Sequence, residues 1–145
     1  MTDRLIIGIG NPAKRDDGVG PAVASSMCRL GVATILHDGG LDDLIPQWAG
    51  YGRVVLVDVS CSGIAPGTVR VFDANVVKPP AGIFLRQGRG IDLAECISRA
   101  RKQGLLPAHM AVVTVEGVDF SDGDRLSSSV EAAVPLAMAE VERFL

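Results

Sequence analysis

Aromatic side chains make up only 4% of a chain whose hydrophobic share is 48%. A core without rings must be built from Val, Ile, Leu and Ala, and Val-rich runs suit strands buried on both faces of a parallel sheet. Cysteine is scarce: Cys28, Cys61 and Cys96 are odd in number, far apart and form no CxxC. That excludes a zinc knuckle or a disulfide scaffold. Each thiol is read as a small buried hydrophobe, and a reducing cytoplasm fits. No apolar run approaches the ~20 residues of a membrane span. The opening MTDRLIIGIG lacks the long apolar stretch and small-residue cleavage site of a signal peptide. A soluble, cytoplasmic protein without a membrane partner is expected. The 14 basic residues are scattered among 17 acidic ones, for a net charge of −3. With no phosphate-tracking stripe, nucleic acid is not an expected partner. Nucleophile-elbow, H-E-x-x-H and P-loop motifs are absent too.

What is present reads as one domain over residues 1–145. Arg4 to Gly10 is a short apolar run ending in glycines, hence a buried strand, followed by a polar loop over Asn11 to Gly18. Pro21 suits the first turn of a helix closed by Gly31. Val32 to His37 is a second strand, and Leu41 to Gly50 a short helix. Arg53 to Val59 is apolar almost throughout and reads as a central third strand. T-V-R-V-F-D at 68–73 follows after a short turn and is expected as its antiparallel neighbour. Asp92 with Glu95 forms a capping-box-like pair before a helix ending at Gly104. Met110 to Glu116 is another buried strand. Ser128 and Glu131 give an S-x-x-E signature for the last helix, which Pro135 should kink or delay. Helices alternating with buried strands imply a three-layer α/β/α sandwich around a mostly parallel sheet.

Ligands of open parallel sheets gather beyond the carboxyl ends of the strands. Asp16 and Asp17 follow the first strand, His37 and Asp38 the second, and Asp58 ends the third. Carboxylates converging there either share a proton or bind a cation. Asp58 is the sharpest candidate, because a carboxylate closing R-V-V-L-V-D-V costs several kcal/mol unless it is paired. Its plainer alternative is capping loop amides in S-C-S-G; for Asp17 it is an ordinary Asp-Gly turn. Gly8-Ile9-Gly10-Asn11-Pro12-Ala13 also matches a dinucleotide fingerprint, with Asp38 placed for a ribose hydroxyl. Against that reading, such a fingerprint runs straight into a helix, whereas here two acids intervene that would repel a pyrophosphate. His109 precedes its strand and belongs to the opposite rim.

G-I-G-N-P-A-K-R-D-D-G-V-G-P-A-V-A at 8–24 resembles the opening signature of the [NiFe] hydrogenase maturation endopeptidases. D-G-G at 38–40, V-L-V-D at 55–58, P-G-T-V at 66–69, G-I-D-L-A-E at 90–95 and L-S-S-S-V-E-A-A-V-P at 126–135 follow in matching order. The resemblance implies a twisted, mostly parallel five-stranded sheet. It also implies an aspartic-type endopeptidase that removes a C-terminal peptide from a hydrogenase large-subunit precursor after nickel insertion. The nickel is then sensed on the substrate, and no permanent cofactor is expected. On the family pattern Asp17 and Asp58 hold that metal; either carboxylate is also the candidate to polarise the attacking water, and Asn11 with the backbone of Gly8 and Gly10 is expected to shape the cleft. The family's third ligand is a His where this chain has Gln87, a poorer nickel ligand than imidazole. His37, on the same rim, is the substitute candidate. The departure leaves a second implication open, a diverged member that binds a protein without cutting it.

Overall fold

The computed structural model describes residues 3–84 and 90–145. Five strands form one sheet: β1 (Arg4–Ile9), β2 (Ala33–His37), β3 (Arg53–Ser60), β4 (Val69–Asp73) and β5 (His109–Glu116), in the order β2-β1-β3-β5-β4. All neighbours run parallel except β4, which pairs antiparallel with β5. The expected antiparallel neighbour of β3 is therefore displaced by one strand, because β5 inserts between the two. A short turn permits hairpin pairing but does not oblige it. Here the turn residues are committed elsewhere: Gly67 N donates to the Glu116 carbonyl, and Glu116 N donates to the Thr68 carbonyl.

Alternation along β3 and β5 splits the core into two layers. Val55, Val57, Val59, Val113 and Val115 pack under α1 (Val19–Met27) and α3 (Ser128–Phe144). Val54, Leu56, Met110 and Val112 pack under α2 (Leu93–Lys102) on the other face. Both faces are covered, which is why the strands read as unbroken apolar runs. Trp48 closes the α2 layer and donates its indole N–H to the Leu105 carbonyl at 2.9 Å. Among the described residues no helix is long and apolar enough to cross a membrane.

Several local expectations change. The 41–50 segment forms two short 3₁₀ turns, Leu41–Asp43 and Ile45–Trp48, instead of an α-helix. Asp92 caps α2 by accepting from Glu95 N at 2.8 Å, but the Glu95 carboxylate turns to Arg99, so only half of the capping box forms. At α3 the cap position is Ser127, not Ser128, and the helix runs unbroken through Pro135 from its expected start. Cys96 is buried as expected, whereas Cys28 and Cys61 are exposed. Burial pushes the Cys96 thiol up to about 12.

The α1 layer depends on two glycines. A Cβ on Gly8 would lie 2.6 Å from the Gly20 carbonyl oxygen, and one on Gly20 would lie 2.3 Å from Ile9 O and 2.5 Å from Val57 O. These neighbours are backbone, so nothing can rotate away. Gly20→Ala is expected to cost about 3 kcal/mol or more in urea unfolding. Gly31→Ala meets no atom within 4 Å and strains only its left-handed φ of 74°; its expected cost is about 1 kcal/mol. Equal losses in the two variants would contradict this packing.

Candidate active site at the carboxyl edge of the sheet

The segment after β1 folds back over the sheet edge. Asn11 makes an Asx turn, its Oδ1 accepting from Ala13 N at 2.9 Å. A 3₁₀ turn, Arg15–Gly18, follows and leads into α1. Both of its acids are buried, yet they serve different ends. Asp16 accepts from Val118 N, Asp119 N, Ser127 N and Ser127 Oγ, all between 2.7 and 2.9 Å. Burial alone would raise its carboxyl, but these bonds outweigh it and hold the group below the usual carboxylate value of 3.8. Asp16 therefore fastens the turn to the 117–127 loop, and that is where the Ser127 hydroxyl goes instead of capping α3.

Asp17 faces the other way. Its Oδ2 accepts from Asn11 N at 3.0 Å. A Cβ on Gly10 would lie 1.8 Å from the Asp17 carbonyl oxygen and 3.2 Å from its Oδ1, so only glycine, here with φ 141°, fits beneath. Asp17 thus sits on the tip of β1, while Asp16 sits against Gly117 at the tip of β5, where a Cβ would come within 3.0 Å of it. β3 lies between those strands. The turn consequently straddles the carboxyl end of β3, which carries Asp58.

Asp58 is fully buried, and its Oδ1 accepts from Val59 N at 2.8 Å. In register with it stands Thr114 of β5. Two residues further on, Glu116 is also buried; its carboxylate accepts from Ser60 Oγ, Ser62 N, Ser62 Oγ and Gly63 N and meets Arg70 Nη2 at 3.3 Å. Desolvation works against the Glu116 charge, but the four serine and glycine bonds hold its carboxyl below the usual 4.5. The loop after β3 is thus shaped by Glu116, which the sequence reading left without a role. An acid closing a buried strand is the same signal that singled out Asp58. The amides of Ser62 and Gly63 in S-C-S-G are capped by Glu116, while Asp58 accepts from the adjacent Val59 N.

The remaining candidates separate. His37 ends β2, on the far side of β1 from β3, roughly two strand spacings or ~10 Å away. Its Nδ1 receives the Gln47 amide at 2.7 Å and its Nε2–H donates to Gly40 O at 2.9 Å. Both ring nitrogens are thereby engaged locally. Gly10, Pro12, Pro21, Leu36, His37 and Asp38 line a small cleft of about 200 Å³. Gly10 shapes that cleft and Asn11 shapes the turn beside it, whereas Gly8 serves helix packing. Gln87 lies outside the described residues, in the segment that departs after Phe84, which bridges to Ser60. Among the described residues no three His, Cys, Asp or Glu side chains form a metal-holding group. His109 is exposed and pairs with Arg53 at the opposite end of β3, as expected. The front of α1 is filled by the acidic turn, which disfavours a nucleotide phosphate there.

Asp16 and Glu116 both have folded-state values below their unfolded ones. Their contribution is fully present above the unfolded values of 3.8 and 4.5 and is lost as pH falls through the lower, folded ones. Stability should therefore fall progressively with acidification below about pH 4.5. Asp16→Asn should cost about 3 kcal/mol at pH 7 through unsatisfied amides, with the gap from wild type narrowing at pH 3. A pH-independent gap in urea titrations would refute this role for Asp16.

Comparison with known proteins gives a consistent result. A family model described as hydrogenase maturation protease matches residues 32–144. The hydrogenase expression/formation protein HupD of Rhizobium leguminosarum bv. viciae is 25% identical over 97% of this chain and 73% of its own. Among solved structures, the hydrogenase maturating endopeptidase HybD from E. coli superposes with a TM-score of 0.77 at 21% identity, over 97% of this chain and 90% of that one. The [NiFe] hydrogenase maturation protease HybD from Thermococcus kodakarensis gives 0.74 at 23%, over 99% and 98%. The sheet architecture is shared with these proteins, and the family match extends over most of the sequence. The chain belongs to the hydrogenase maturation protease family.

Proposed function

We propose that this protein removes a C-terminal peptide from the nickel-loaded large-subunit precursor of a [NiFe] hydrogenase, with Asp17 and Asp58 as the working pair. The observation that supports the proposal is the acidic turn beside the carboxyl end of the sheet, with buried Asp17 over Gly10 at the tip of β1 and buried Asp58 in the adjacent strand β3. Each carboxylate is oriented by a backbone N–H, from Asn11 and Val59 respectively.

Nickel enters as the precursor's cargo. Carboxylates are hard, anionic donors that suit a divalent ion, and the precursor supplies the metal's other ligands. Gripping the metal places the adjoining peptide bond beside the pair. One carboxylate then takes a proton from water as the water oxygen bonds to the carbonyl carbon. The C–N bond breaks as the proton passes to the departing amine, releasing the tail. General acid–base assistance of this kind is worth about 10²–10⁴-fold. Cys96 is buried and its thiol is pushed up to about 12, so it offers no nucleophile.

A second reading, a member that binds a precursor without cutting it, is motivated by Gln87 in place of His. In that case nickel does not bind wild type, while Gln87→His acquires binding. For the leading reading, purified protein is mixed with nickel-loaded and nickel-free precursor and the tail is followed by mass. Cleavage of the loaded form alone is expected. Asp17→Asn and Asp58→Asn are each expected to slow it by about 10²-fold or more. Equal cleavage of both precursors, or full activity in either variant, would sink the mechanism.

A further inference from the structure

The row of residues beside Asp58 carries a hydrogen-bond donor with nothing to bond. Thr114 is fully buried in the middle of β5, yet its Oγ1 has no partner among the described residues. Burying a hydroxyl unsatisfied is costly, and buried polar groups are nearly always paired. Thr114 is the registered partner of Asp58 on β3 and of Arg70 on β4. The alternation of both strands puts Thr114 and Asp58 on the same face, since the flanking Val57, Val59, Val113 and Val115 all pack on the other. Directly opposed side chains on neighbouring strands have Cβ atoms about 5 Å apart. A threonine hydroxyl and an aspartate oxygen so placed come within hydrogen-bond reach through rotation about their side-chain bonds.

In the resting protein Asp58 Oδ1 is held by Val59 N. We infer that Thr114 is a positioning residue for Asp58, its hydroxyl unspent in the free protein and donated to the Asp58 carboxylate when that group turns to engage the precursor. The inference rests on the proposed protease reading. Valine in this position would pack equally well and would remove the unsatisfied atom, so packing alone gives no reason for threonine here.

Thr114→Val separates the two roles because it keeps the shape and deletes the hydroxyl. Its melting temperature is expected to be equal to or above that of wild type, since no native bond is lost. Its kcat for the nickel-loaded precursor is expected to fall about 10- to 100-fold. Thr114→Ser should restore most of that rate. In the Asp58→Asn background Thr114→Val should add nothing, the signature of two groups acting as one. Wild-type kcat in Thr114→Val, or a drop in its melting temperature, would overturn the inference while leaving the protease reading intact. A wild type that leaves the loaded precursor uncut overturns the protease reading, and this inference with it.

Discussion

Four hydrogen bonds converge on the Asp16 carboxylate from residues more than one hundred positions later in the chain. The turn they fix also donates the Arg15 and Asp16 backbone N–H groups to the Gly123 and Asp119 carbonyls. An ordinary loop of Asn, Pro, Lys and Gly after a strand would be mobile. Here it is held between the end of β1 and the segment that follows β5. The placement of Asp17 is a consequence. With its neighbour anchored over Gly117 and its own backbone resting on Gly10, the Asp17 side chain has little choice of position. One buried acid spends its charge on structure and in doing so fixes the position of the next.

The division matters because two adjacent acids in one turn look interchangeable. Burial of a carboxylate is costly unless hydrogen bonds compensate, and four donors from a distant loop provide that for Asp16. Glu116 repeats the device across the sheet, where serine and glycine donors around it define the loop leaving β3. Asp58 therefore stands between two independently braced loops. A site for a bulky protein substrate gains from such bracing, since misplacement of a reacting group by even 1 Å can cost 10²-fold in rate.

The sequence shows the layers clearly and the sheet order poorly. Apolar runs at Arg4, Val32, Arg53 and Met110 locate four strands because burial on both faces leaves an unmistakable pattern. The place of β4 is not in its own residues. It depends on β5, forty residues on, entering beside β3 first. Asp17 and Asp58 stand out in the sequence because an acid after a buried strand is conspicuous, and both are buried in the fold. Glu116 carries the same mark, yet its meaning lies in the serines it meets, and those contacts exist only once β3 and β5 are side by side. Likewise His37 has the right chemistry and rim for a ligand, and only the fold reveals that Gln47 and Gly40 occupy both of its nitrogens.

That late insertion of β5 also decides what surrounds Asp58. Had β4 paired with β3, as the short turn suggests, the residue opposite Asp58 would have come from the T-V-R-V-F-D segment, with Arg70 a natural ion-pair partner. Such a pair would hold the carboxylate in a fixed, neutralised contact. Instead Thr114 lies between them, and Arg70 is turned toward Glu116, Ser60 and Ser62. A hydroxyl in that register can donate to a carboxylate without bringing a positive charge beside it. The strand order thus does more than build a sheet: it puts a threonine hydroxyl, and not the Arg70 guanidinium, in register with Asp58.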